Sequence, residues 1–156
     1  MSSEQATAAQ TGIIVVTHAD YGTALLRAAE VIHGPVQDCT CIQLDVSVEV
    51  ETTVSRLKEA VERLNTGNGV MVLTDMFGGT PTNLSLSLLA ARDDVEVLTG
   101  MNLPMLLRVL SNRTLPLAEQ TELALKAGCD GIIAAGQVLR GKRESKKTAE
   151  DGMVPD

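Results

Sequence analysis

The stretch that decides the fold is Gly69-Val70-Met71-Val72-Leu73-Thr74, followed by Asp75-Met76-Phe77-Gly78-Gly79-Thr80 and then Pro81-Thr82-Asn83. The first six residues are apolar or β-branched without alternation, which predicts a strand buried on both faces, as in a parallel sheet. The next six carry tandem glycines and predict a loop. Pro81 suits the first position of a helix, where its missing N–H deprives no carbonyl of a partner. Thr80 is then the expected N-cap.

Outward from this unit the same pattern repeats. Gly12-Ile13-Ile14-Val15-Val16-Thr17 is a second buried strand. Leu25, Ala28, Ala29 and Ile32 recur at helical spacing from about Thr23, and His33-Gly34-Pro35 is a stop signal. Cys39-Thr40-Cys41-Ile42-Gln43-Leu44 predicts a strand. Val50, Val54, Leu57, Val61 and Leu64 mark a helix that stops near Gly67. Beyond the central unit, Val95 to Thr99 predicts a strand, Met105 to Ser111 a helix and Pro116 to Ala127 another. Gly131-Ile132-Ile133-Ala134-Ala135 predicts a short last strand.

Strands alternating with helices imply right-handed crossovers and an α/β fold, with a mainly parallel sheet covered on both faces. In the flavodoxin-like arrangement the crevice lies beyond the carboxyl ends of strands one and three, where the strand order reverses. Function is therefore expected in His18 to Gly22 and in Asp75 to Thr80. The expected organisation is a disordered N-terminal tail over 1–11, one domain over 12–138 and a charged C-terminal tail over 139–156.

Composition narrows the classes. The chain has 156 residues, 44% hydrophobic and 21% charged, enough for one domain with its own core. It has no apolar run near 18 residues, and its first eleven residues lack the features of a secretory signal, so a cytoplasmic protein without membrane insertion is expected. A net charge of −7, no basic stripe and a single Tyr and Phe argue against nucleic-acid binding. Cys39, Cys41 and Cys129 are expected to be small core residues, and no metal site or cofactor is expected.

His18 and Asp75 each follow a buried strand directly. On neighbouring strands their side chains converge, and a carboxylate on one ring nitrogen leaves the other free as a nucleophile. Gly78, Gly79 and Thr80 open a helix, where close backbone amides, the dipole and a hydroxyl favour a phosphoryl group. No G-x-x-x-x-G-K-[ST] or G-x-G-x-x-G pattern is present, so a nucleotide has no evident seat. Taken singly, His18 reads equally as a satisfied histidine at a strand end, and Gly78-Gly79-Thr80-Pro81 as a tight turn with a cap. His33, in a last helical turn, reads as structural. Tyr21 and Phe77 fall in the two site loops and suit the docking of a partner, with Asn102 and Pro104 bordering the crevice.

Together, Val15-Val16-Thr17-His18, Val72 to Asn83 and Gly100-Met101-Asn102-Leu103-Pro104-Met105-Leu106 resemble the IIA domains of the mannose/fructose/sorbose phosphotransferase family, the PTS. The resemblance covers Gly12 to Val138. It implies a phosphotransferase component whose His18 is phosphorylated by phospho-HPr, with Asp75 as its hydrogen-bond partner and Thr80 near the phosphate. It also implies transfer to a IIB protein, here a separate chain, and a homodimer in which the last strand is exchanged. The sugar would be chosen by the membrane components. Many relatives have glycine after the histidine; here Ala19-Asp20-Tyr21-Gly22 follows, and Asp20 is expected to point outward, since an inward carboxylate repels phosphate. Two other readings stay open: a regulatory phosphoprotein that feeds no transporter, and a metal-dependent hydrolase using His18, Asp20 and Asp75.

Overall fold

The computed structural model describes residues 9–44, 49–89 and 92–141; residues 1–8 of the expected N-terminal tail and 142–156 of the expected C-terminal tail lie outside the described residues. The strands are β1 (Gly12–His18), β2 (Cys39–Leu44), β3 (Val70–Thr74) and β4 (Val95–Thr99). Between and after them come the helices α1 (Tyr21–His33), α2 (Val50–Leu64), α3 (Thr80–Leu89), α4 (Leu103–Leu110) and α5 (Leu117–Asp130).

All four strands are parallel, in the order β2-β1-β3-β4. β1 is central because every residue from Gly12 to Thr17 is buried, so both of its faces need cover. Alternation sorts its side chains: Ile13 and Val15 join Met71, Leu73 and Leu98 in one core with residues of α1, α4 and α5. Ile14 and Val16 join Val70, Val72 and Val95 on the opposite face, under α2 and α3 through Leu57, Val61, Leu64 and Leu88. The order reverses at β1, which pairs with β2 on one side and β3 on the other. The resulting crevice opens at the carboxyl ends of β1 and β3.

The face of α1 that meets the sheet runs through Gly22, Leu25, Leu26 and Ala29, whereas Ala28 and Ile32 point outward. Gly22 brings the start of α1 hard against β1: a Cβ there would lie 2.5 Å from Val15 Cγ1 and 2.9 Å from Thr17 Oγ1. At the opposite pole Arg113 is buried and donates from Nε to the Thr11 carbonyl (2.8 Å) and from its terminal nitrogens to the Gln37 and Asp38 carbonyls. Burial lowers its pKa from the usual arginine value, opposed by the nearby Asp38 and Cys39. Thr11, expected in the tail, is thereby fixed and fully buried.

Two expectations are corrected. The strand expected at Gly131 to Ala135 does not form within the single chain: Gly131 caps α5, residues 132–134 pair with no strand among the described residues, and residues 135–141 are helical. Ile132 and Ile133 are 80% and 65% exposed. An isolated apolar pentapeptide becomes a strand only where a free edge meets it, and none of the four strands pairs with this one. Cys129 is exposed rather than core, while Cys39 and Cys41 are half-buried free thiols. Burial first, then the neighbouring Cys41, pushes the Cys39 thiol up to about 12, so it stays protonated.

Gly22→Ala should destabilise the fold by about 1–3 kcal/mol, because the added methyl overlaps Val15 and Thr17. An unchanged urea midpoint would show that α1 does not need its close approach to β1.

Candidate functional site

His18 is the last residue of β1, and Asp75 follows the last residue of β3. The register pairs Val16 with Thr74, so the two strands end almost level and bring these side chains together. A single oxygen, Asp75 Oδ2, accepts both the His18 backbone N–H and ring Nδ1, each at 2.8 Å. Asp75 Oδ1 accepts the Met76 N–H at 2.9 Å. With an ionised carboxylate as acceptor, Nδ1 carries the proton and the Nε2 lone pair is free.

The pair differs in exposure: the His18 side chain is 50% exposed and that of Asp75 only 15%. Burial disfavours the charge of Asp75, but hydrogen bonds from the His18 amide and ring, the positive charge of the ring whenever it is protonated, and the Met76 amide outweigh it. The carboxyl is thus held below its ordinary range. The imidazole is oriented from its inner side and open on its outer side.

The loop between β3 and α3 curls over the same ring. Gly79 lies against it: a Cβ there would come 3.1 Å from His18 Cε1. Gly78 has φ +78°, a conformation that glycine adopts without steric penalty. Asn83 donates its N–H to the Gly79 carbonyl, and α-helical geometry leaves the amides ahead of it without an intrahelical acceptor. Thr80 is the first residue of α3 rather than its cap, and it is exposed.

Other expected positions are distributed as follows. Phe77 is 75% exposed and Met76 beside it 55%. Tyr21 is half-exposed, but its hydroxyl donates to the Met101 carbonyl at 2.9 Å, fastening the start of α1 to the loop after β4. Asn102 caps α4 by accepting the Met105 N–H and donates from Nδ2 to the Gly128 carbonyl; its amide is thus spent on holding α4 to α5. Pro104, in the first turn of α4, packs against Gly131. Asp20 is exposed, as its chemistry requires.

Three threonines carry no expectation from the sequence: Thr17 and Thr74 at the ends of β1 and β3, and Thr82 in the first turn of α3. Thr17 Oγ1 accepts the Gly22 N–H at 2.9 Å, and Thr74 and Thr82 join their hydroxyls at 2.7 Å beneath the Asp75 loop. A signal existed: β1 has threonine just before its last residue, and β3 and β4 both end on one. Ala19 adopts φ +48°, a left-handed conformation that glycine takes without steric cost. Among the described residues no group of three or more His, Cys, Asp or Glu could hold a metal ion. No helix among them is long and apolar enough to cross a membrane.

The structure is thus an α/β domain that presents an oriented, half-exposed histidine beside a helix amino end. Comparison with known proteins places it further. The model of the family described as "PTS system fructose IIA component" matches residues 12–124. The chain is 30% identical over 148 residues to the PTS system fructose-specific EIIA component of Bacillus subtilis (strain 168), covering 92% of this chain and 97% of that protein. It is 29% identical over 124 residues to the PTS system mannose-specific EIIAB component of Escherichia coli (strain K12), covering 78% of this chain but only 38% of that protein. The PTS IIA protein associated with the fucose utilization operon from Streptococcus pneumoniae has the same fold, with a TM-score of 0.76 and 26% identity over 85% of this chain and 99% of that one. The chain therefore belongs to the mannose-type IIA family of phosphotransferase-system components.

Ala19→Gly should raise stability by about 0.5–1 kcal/mol, the relief of a left-handed alanine less the larger unfolded-state entropy of glycine; a lower melting temperature would contradict this. Asp75 gives a pH signature of definite sign. Its carboxyl is depressed in the folded state, so its contribution is complete above the ordinary value of about 4 and is lost as pH falls through the lower folded value. The stability gap between wild type and Asp75→Asn should accordingly close on acidification below that point, as read by urea titrations at several pH values. A gap that widened there would overturn the assignment.

Proposed function

We propose that this chain is a phosphocarrier that receives a phosphoryl group on Nε2 of His18 from phospho-HPr and passes it to a IIB protein. The observation that carries the reading is the Nδ1 contact with Asp75 at 2.8 Å on a ring whose other nitrogen is free to attack. The Nε2 lone pair attacks phosphorus as the donor's own P–N bond breaks, and its electron pair stays with the donor ring. Positive charge spreads over the His18 imidazole as the new bond forms, and the Asp75 carboxylate on Nδ1 stabilises it. The second transfer runs the same step with His18 as the leaving group.

Phosphoryl transfer needs positioning and charge stabilisation more than covalent chemistry from the protein. Gly78, Gly79 and Thr80 would provide these through the open amides at the start of α3 and the Thr80 hydroxyl. Exposed Phe77 and Met76, with half-exposed Tyr21, form an apolar rim that suits docking by two partners in turn. The relatives named as mannose-, fructose- and sorbose-specific PTS components support a role in sugar uptake, which would place the chain at the cytoplasmic side of the membrane. Exposed Ile132 and Ile133 support a homodimer in which this segment pairs with the sheet of a second copy. No cofactor enters the scheme.

Mixing the protein with phosphoenolpyruvate, enzyme I and HPr should place on it one acid-labile, base-stable phosphate. His18→Ala should remain unlabelled under the same conditions. Equal labelling of that variant, or none of the wild type, would refute the reading.

A further inference from the structure

Beneath the Asp75 loop lies a chain of hydrogen bonds whose direction is settled by counting protons. Thr82 Oγ1 lies 2.6 Å from the Met76 carbonyl, which has only lone pairs to offer, so the one hydroxyl proton of Thr82 points there. The 2.7 Å contact between the Thr74 and Thr82 hydroxyls must then use the proton of Thr74. Thr74 is fully buried and Thr82 only 1% exposed, so water cannot substitute for either partner. The carbonyl of Thr74 accepts the Met101 N–H at 3.0 Å, which ties this end of β3 to the chain after β4.

The far end of the chain is Met76, whose N–H holds Asp75 Oδ1 while Oδ2 holds His18. Met76 is 55% exposed and lies between the end of β3 and two glycines, so its neighbours along the chain do little to fix its peptide groups. The hydroxyl of Thr82, anchored in the first turn of α3, is what grips it from below. We propose that Thr82 is a positioning residue for His18, acting through Met76 on the Asp75 carboxylate and so on the ring tautomer that leaves Nε2 free. This rests on the phosphocarrier reading for its function, but not for its geometry. Thr80, two residues earlier and exposed, is left to face the phosphoryl group directly.

The test separates the hydroxyl from the bulk of the side chain. Thr82→Val keeps the shape and removes the donor; Thr82→Ser keeps the donor. Nitrogen-15 NMR of the unphosphorylated ring should give a spectrum dominated by the Nδ1–H tautomer in wild type and Thr82→Ser, and a mixture of tautomers in Thr82→Val. Phosphorylation by phospho-HPr should slow roughly tenfold in Thr82→Val, in keeping with a small displacement of a reacting group, and stay within about twofold in Thr82→Ser. If Thr82→Val does not fold, Thr82→Ala replaces it with the same expectation. An unchanged tautomer signature in the hydroxyl-free variant overturns the proposal, even if its transfer is slow, as does a Thr82→Ser ring as mixed as that of Thr82→Val. Failure of wild type to accept phosphate would refute the function instead, while the ring spectra still decide whether Thr82 positions His18.

Discussion

One carboxylate oxygen holds the site together. Asp75 Oδ2 accepts two N–H groups of the same residue, the His18 amide and the His18 ring, so it clasps the end of β3 to the end of β1 and sets the angle of the imidazole. Both donors address one acceptor, and the ring cannot swing away without breaking a bond that also closes the backbone. The cost of burying most of the carboxylate is offset by three hydrogen bonds from His18 and Met76. A histidine exposed enough to meet a partner protein is thus kept rigid from its buried side.

The sheet makes this clasp attainable. β1 and β3 are neighbours only because the chain places β2 on the other side of β1, and their parallel register ends both at the same rim. The two cores on opposite faces hold that register through Ile13 to Val16 and Val70 to Leu73, none of which can slip by one residue without turning its apolar face over. Gly22 then lets α1 approach β1 closely, and Gly79 lets the loop before α3 lie against one side of the ring.

Much of this was legible beforehand for a simple reason: continuous apolar runs with abrupt changes of period are local signals. The β1, β3 and α2 segments were read within a residue or two, and the convergence of His18 and Asp75 followed from the rule that parallel sheets bind at their carboxyl ends. The failures share a different cause. Ile132 and Ile133 have strand propensity but meet no strand among the described residues, and Cys129 falls on an exposed turn of α5 that no periodicity distinguishes. Asn102 borders the crevice, but that its amide caps α4 and holds α5 depends on long-range packing. Propensity and composition describe what a segment tolerates, whereas these outcomes depend on which neighbour arrives.

The order of residues by itself determined the alternation of strands and helices, the class of the fold and the two loops at the carboxyl ends of β1 and β3, because hydrophobic period and turn residues are properties of adjacent positions. Only the tertiary structure decided which atom of Asp75 meets which atoms of His18, that Ala19 bends into the left-handed region, and that Thr82 rather than Thr80 grips the loop from beneath. Those relations join residues as many as 57 positions apart, and a hydrogen bond has a direction and a length that exist only once packing has brought both ends to the same place.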